Sequence, residues 1–399
     1  MDKKMVPEVR FKGFTDDWEQ RYLGDLYKKN IEKNKNQFKE DKTISISSMK
    51  FNRSGNGAKE SSLSNYKVLR IGDIAFEGHK NKEFSFGRFV LNDVGDGIMS
   101  PRFTTLRPIY HQNINYWKYY IHNERIMQKV LVRSTKLGTM MNELVVNDFY
   151  KQAILVPSSE EQRSIGELLS TIDVIITLQQ RQLDLYKKLK KGLLQKLFPK
   201  DGEKVPKVRF ADFHDDWKQF KLKELGDIQT GNTPSTSDEN NYSNNGMMWV
   251  TPTDIDSLLI SNTSKKLSKL GQSKARIAKR GSVLVTCIAS IGKNTLITED
   301  ASFNQQINSL TPSSKNNSYF LLTQSSQWSK KMKYIAASGT MQIVNKKDFS
   351  NIETYVPSLN EQNEMGLLFK KLDWIIILYQ NKINKQKLLK KYLLQNLFI

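Results

Sequence analysis

The sequence predicts an α+β protein: two mixed α/β domains in pseudo-twofold repeat, separated by two long antiparallel coiled-coil helices. Three observations carry this reading. The 399-residue chain restarts its opening pattern near its midpoint, its two halves end in a heptad-patterned stretch, and the segments in between mix β-rich runs with helical spacing. The expected limits are residues 1–157 and 201–357 for the two domains, and 158–200 and 358–399 for the two helices.

The opening frame is "VPEVRFKGFTDDWEQRYL" from Val6, repeated as "VPKVRFADFHDDWKQFKL" from Val205. After a short insertion, "LGDL" at Leu23 is echoed by "LGDI" at Leu225. The paired acids Asp16-Asp17 and Asp215-Asp216 stand in this frame before Trp18 and Trp217, where a turn or cap is the expected role rather than catalysis.

The centres diverge. Short runs such as "KTISIS", "DIAFEG", "GRFVL", "SVLVTCI" and "NTLIT" are rich in Val, Ile, Phe and Thr and read as strands. "NYWKYYIHNERIMQKVL" and "YFLLTQSSQWSKKM" have helical spacing and lead into Gly-Thr-Met segments at Gly138 and Gly339. Weak echoes remain: "RIGDIAF" beside "KRGSVLV", and "SPRFTTLRP" beside "NQQINSLTP". A shared framework with different centres is what two copies of one domain look like when each reads something different.

The closing frame repeats most fully. The stretch from Asp148 aligns without gaps with that from Asp348, and nearly half the aligned positions are identical. Ser158 with Glu161 and Ser358 with Glu361 are S-x-x-E capping boxes that start a helix. Ile165, Ile172, Gln179, Tyr186 and Leu193 then recur every seven residues, flanked by Leu168, Ile175 and Leu189. Met365, Leu372, Tyr379 and Leu393 repeat the spacing, beside Leu368, Ile375, Ile383 and Leu389. Such heptads predict coiled-coil pairing. The first helix feeds the second domain from its C-terminal end and the second helix leaves that domain by its N-terminal end, which favours antiparallel pairing. A helix of about 40 residues spans about 60 Å.

Composition narrows the function. Lys and Arg number 62 against 41 Asp and Glu, a net charge of +21 with pI near 9.6, and the excess is spread over both halves. That suits a polyanion lying along an extended surface; a Lys-rich solubilising surface is the plain alternative. Cys287 is the only cysteine, so a disulfide framework is excluded and a reducing compartment fits. "MDKKMVPEVRF" has no signal-peptide pattern and no run of about 18 apolar residues occurs, so a cytoplasmic location is expected.

Catalytic and cofactor patterns are missing from the sequence. His79, His111, His122 and His214 show no metal spacing. "CIASIGKN" at Cys287 lacks the first glycine of a phosphate-binding loop and the Ser or Thr that should follow Lys293. No G-x-G-x-x-G opens a helix, and no Asn/Asp-Pro-Pro-aromatic tetrapeptide of the amino-methyltransferase kind occurs. By itself the chain is expected to make or break no covalent bond.

The arrangement resembles the specificity subunit of type I restriction–modification systems over essentially the whole chain. The resemblance rests on the repeated "VRF…DDW" frame, "LGDIQTGNTPS" with "WVTPTDI", "NQQINSLTP", and "VPSSEEQ" and "VPSLNEQ" opening long helices. The first half departs from the pattern, with "SPRFTTLRP" in place of the Asn-Gln pair and no Gly-x-Thr-Pro. The resemblance implies that each domain is a target recognition domain for one half of a bipartite, asymmetric double-stranded DNA site. It further implies that the helices set the gap and dock two modification subunits. S-adenosylmethionine would sit on those methyltransferase subunits and ATP with Mg on restriction (translocase/nuclease) subunits, with no cofactor on this chain.

Candidate DNA-binding residues follow in the second domain: Thr233 and Ser235 in "TGNTPS", Ser290 and Lys293 in "IASIGK", Asn304, Gln305 and Gln306, and Gln342. In the first domain they are Lys80, Lys82, Arg88, Ser100, Arg102 and Lys136. Polar side chains at groove edges read bases, whereas Lys and Arg mostly hold phosphates. Glu161, Gln162, Glu361 and Gln362 are expected to fix the helix starts or a subunit junction. A stand-alone or fused restriction or methylation enzyme is the alternative, and needs a catalytic constellation; a repeat scaffold without DNA is a third class.

Overall fold

In a computed structural model, the described residues are 5–52, 57, 59–82, 84–200, 202–338 and 342–399. Two compact units form, and neither coincides with one half of the sequence repeat: one is Met1–Gln180 with Asn381–Ile399, the other Arg181–Gln380. Each long helix, Ser159–Lys196 and Leu359–Asn396, therefore gives one half to each unit. No helix among the described residues is long and apolar enough to cross a membrane.

The sequence repeat is a repeat of topology. The first unit holds an antiparallel sheet in the order Tyr27–Lys29, Thr104–Pro108, Ile74–Glu77, Arg88–Leu91. The second holds Gly226–Thr230, Ile307–Pro312, Val283–Thr286, Asn294–Ile297, extended by a parallel pairing to Leu259–Ile260. The weak echoes "RIGDIAF"/"KRGSVLV" fall on corresponding strands. Ile74, Ala75 and Phe76, and Val283, Leu284 and Val285, are apolar at successive positions because the sheet is covered on both faces. Ile74 and Phe76 enter the core around Trp117 and Phe149, while Ala75 enters a second cluster with Ile44, Leu69 and Met99. Val283 and Val285 join Trp328 and Phe349, while Leu284 joins Ile297 and Phe303.

The two frames meet in space. Glu19–Tyr22 pairs antiparallel with Ala153–Val156, and Lys218–Lys221 with Glu353–Val356. Opening and closing segments thus shut each domain immediately before its long helix, which is why they are the parts the halves share. The helical stretch of the first centre is two helices, Ile114–Ile121 and Glu124–Ser134, broken at His122, whose imidazole accepts from the Leu91 N–H at 3.0 Å. The second is one helix, Ser318–Ser338.

The capping boxes form only in part. Ser158 and Ser358 accept from the N–H of Glu161 and Glu361 at 3.3 and 3.4 Å. The glutamates do not reach back to the caps. Each is 1% exposed and grips an arginine of the opening frame instead: Arg10 donates to Glu161 in two bonds of 2.8 Å, and Arg209 does the same to Glu361. A planar guanidinium matches a buried carboxylate better than a lone backbone N–H does. Trp18 and Trp217 are both buried, Trp217 beside its clamp, and the Asp16 carbonyl accepts from Arg10 at 2.6 Å, so the Asp-Asp-Trp motif serves as a turn.

Helix pairing is antiparallel within each unit. In the first, Asp173 of the first helix accepts from Lys390 of the second at 2.6 and 2.8 Å; in the second, Asp373 accepts from Lys190 at 2.5 Å. Tyr119 and Tyr319 donate to the same carboxylates at 2.6 and 3.0 Å. Burial above all, with the adjacent carboxylate, pushes both phenols well above their usual range, so they remain donors. Ile165, Leu169 and Ile172 pack with Leu393 in the first unit, and Leu372 and Met365 with Leu197 in the second. Leu189 and Leu389, expected in the seam, are 48% and 44% exposed. A straight helix drifts by about 20° per heptad, which carries such positions out of the seam.

Candidate nucleic-acid interface

In the second unit the candidate residues gather on three neighbouring loops. After the strand Val283–Thr286 the chain folds back on Thr286, whose hydroxyl donates to the Ser290 carbonyl at 2.5 Å and accepts from the Lys293 N–H at 2.9 Å. Ala289 sits at φ +60, in the left-handed region that L-residues rarely occupy. Cys287 ties this loop to its neighbours through its backbone: its N–H donates to Gln306 O at 2.8 Å, and its carbonyl accepts from Val344 N–H at 3.0 Å. Ser290, Lys293 and Gln342 consequently line one open cleft of about 500 Å³, together with Lys333, Ala336 and Ala337 from the helix Ser318–Ser338. Lys333 was not among the expected residues. Its position beside two alanines on one helical face was the only signal available.

The turn at Asn304, Gln305 and Gln306 forms the second loop. Asn304 Oδ1 accepts from the Gln306 N–H at 2.9 Å, and Asn304 Nδ2 donates to Gln306 Oε1 at 3.2 Å. Asn304 is therefore committed to shaping the turn. Thr233, in the third loop, donates to Gln305 Oε1, which leaves the Gln305 amide N–H groups outward. The glycine of "TGNTPS" has a steric cause: a Cβ on Gly231 would lie 2.2 Å from Phe303 O. Ser235 pairs with Ser237 at 2.8 Å at the rim of this loop.

The first unit repeats the scaffold but not the loops. Asn142 N–H donates to Gly78 O at 2.8 Å and His79 bridges to Met141, as Val344 and Ile343 do with Cys287 and Ile288. Both Gly-Thr-Met segments thus lead onto the loop after the equivalent strand, although residues 339–341 of the second lie outside the described residues. Lys80 and Lys82 are exposed on that loop. Ser100 and Arg102 line a separate cleft of about 490 Å³ with Ser45, Asn52, Glu77 and His79, and the Arg102 guanidinium lies 4.8 Å from the Phe103 ring centre. Lys136 is exposed opposite Glu143 in a two-stranded hairpin. Arg88 is bound within the scaffold, donating to Glu77 at 2.7 Å and to Ser47 O at 2.8 Å. Its charge is balanced before any ligand arrives.

The helix-start residues face inward. Gln162 and Gln362 donate to the carbonyls of Pro157 and Pro357 at 3.0 Å, and buried Gln362 also accepts from Asn317 N–H at 2.9 Å. With Glu161 and Glu361 buried in the arginine clamps, these residues fix the helix starts. The junction role has no exposed side chain from Glu161, Glu361 or Gln362 to build on.

Burial pushes the Cys287 thiol up to about 12 and the His122 imidazole down to about 4. Among the described residues no three His, Cys, Asp or Glu side chains converge to hold a metal ion. A duplicated α+β domain that presents different polar and basic loops from one scaffold is the layout of a two-part recognition protein.

Comparison with known proteins gives that layout a family. Type I restriction modification DNA specificity domains match residues 15–186 and again 214–387, and the chain belongs to this family. The type I restriction enzyme HindI specificity subunit of Haemophilus influenzae is 31% identical over 219 residues, 52% of this chain and about half (47%) of the relative's length. The putative type I restriction enzyme MjaX specificity subunit of Methanocaldococcus jannaschii is 21% identical over 392 residues, 90% of this chain and 88% of the relative. The solved type-I restriction–modification S subunit from M. genitalium shares the fold with a TM-score of 0.64 at 14% identity, covering 99% of each chain.

Proposed function

We propose that this chain is the non-catalytic DNA-specificity subunit of a type I restriction–modification complex, with each domain reading one half of a bipartite, asymmetric site. One observation carries the reading: equivalent strands in the two units end in unlike loops, Ser100–Arg102 chemistry in one and Thr233, Gln305, Ser290 and Gln342 in the other. Two different readers on one chain give asymmetric recognition, where a homodimer would impose a palindrome.

Two methyltransferase subunits, which carry S-adenosylmethionine, dock on the helices, and restriction subunits supply ATP-driven chemistry. Exposed apolar side chains support docking there: Val174, Leu178 and Tyr392 in the first unit, and Leu185, Leu367 and Trp374 in the second. The assembly works in the cytoplasm. Methylome sequencing of cells with and without the gene tests the proposal. Loss of adenine methylation at one split site is expected; an unchanged methylome, or a purified complex that methylates without sequence preference, would refute it.

A further inference from the structure

The helix Ser318–Ser338 has a second face, away from the readout loops. Between it and the C-terminal end of the first long helix lies a cleft of about 830 Å³. Six lysines line it: Lys191, Lys196, Lys200 and Lys207 on one side, Lys330 and Lys331 on the other. No acidic residue joins them. Lys331 donates to the Glu353 carbonyl at 2.8 Å, and the other five enter no ion pair among the described residues. Three other lysines of the same unit do meet acids, Lys190 with Asp373, Lys274 with Asp238 and Lys279 with Asp300. Like charges gathered in a concavity repel one another, and folding alone gives no reason to collect them.

The first unit shows what the same place looks like when it is closed. There the broken helix brings Asn123 and Arg125 onto the carbonyls of Leu394 and Gln395, with bonds of 3.0 and 2.9 Å. The equivalent residues of the second unit, Leu194 and Gln195, line the open cleft. The shared scaffold therefore does not require the opening. Lys333, one turn beyond Lys330 on the same helix, lines the cleft that holds Ser290 and Lys293, so a basic track joins the two clefts.

We propose that the lysine cleft is a second, sequence-independent site that holds the phosphodiester backbone of duplex DNA beyond the half-site read by the second unit. The inference rests on the DNA-reading role given above. Continuity with the readout cleft favours DNA over an acidic protein. So does the lining: Phe198 and Pro199 are buried in their own unit, which leaves no aromatic anchor of the kind that centres protein interfaces.

The test uses the full-length chain assembled with its partner subunits. Lys196, Lys200, Lys207 and Lys330 are changed together to Gln, and binding is measured by anisotropy on duplexes ending at the site or extended by about 15 base pairs on either side. The wild-type complex should gain roughly tenfold from extension on one side only, and the variant should lose that gain. Its salt slope on the extended duplex should fall by about 3.6, near 0.9 for each of the four phosphates released, with the methylated sequence unchanged. A wild type without the one-sided gain, or a variant that keeps both gain and slope, overturns the proposal. So does loss of a partner subunit from the variant complex with the gain intact, which assigns the cleft to an acidic protein. A wild-type complex indifferent to sequence would instead sink the underlying reading.

Discussion

The Arg209 guanidinium holds the Glu361 carboxylate in two parallel hydrogen bonds of 2.8 Å, across 152 residues of sequence. Glu361 is 1% exposed, so its charge depends on this partner and on Trp217, whose indole N–H lies 3.4 Å from the same oxygen. Arg209→Leu alone should cost about 3 kcal/mol, because it strands a buried carboxylate. The double variant Arg209→Met/Glu361→Leu should recover most of that loss. Denaturant unfolding of the full chain checks both; equal losses for single and double variants would contradict the argument.

The two helix-seam ion pairs differ in depth. Asp373 is 6% exposed and Asp173 is 34% exposed. Asp373→Ala should therefore destabilise the second unit by about 2–3 kcal/mol, and Asp173→Ala the first by about 1 kcal/mol or less. Hydrogen exchange along the two helices would report each unit separately.

His122 makes the first unit acid-sensitive. Burial first, then Lys118, hold its imidazole at about 4 against an ordinary 6.5. The unfolded chain thus binds the proton more readily than the folded one, so stability is full above pH 6.5 and falls as pH drops toward 4. Solvent reaches the ring, so the loss attributable to this group is modest, about 1 kcal/mol or less. His122→Gln keeps an acceptor for the Leu91 N–H without titrating, and its unfolding midpoint should vary less between pH 6.5 and 4.

Cys287, with its thiol pushed up to about 12 by burial, should resist thiol reagents at pH 7.5 in the folded chain and react fully in denaturant. Rapid labelling of the native protein would show that this loop opens.

Base readers and phosphate holders should separate in methylation assays. Gln305→Ala should relax preference within one half-site by about 1–3 kcal/mol, while Lys293→Gln should weaken binding across sequences and lower the salt slope by about 1.

The duplication, the strand runs and the antiparallel helices were all legible in the chain, because repeats and heptads are written in local spacing. The partners of Glu161 and Glu361 were not. A capping box and a long-range arginine clamp need the same Ser-x-x-Glu, and only the fold brings Arg10 and Arg209 to it. The candidate site divided in a similar way. Ser290, Lys293 and Gln342 stand together because Cys287 joins their loops, whereas nothing local in the sequence marks Glu77 as the partner of Arg88. The lysine cleft was invisible, since a lysine on a helix carries no local mark of what it faces.

The first unit's core contains Leu393, Leu397 and Phe398, with the Phe398 ring 5.8 Å from those of Tyr116 and Tyr120. On the ribosome, the domain made first therefore waits for a piece made 271 residues after Asn123. Its partner unit closes earlier, its own elements having all emerged by Gln380. The order of completion is the reverse of the order of synthesis, and the interval leaves an apolar groove open on the nascent chain. Translation speed through the second half is thus part of how the first half folds.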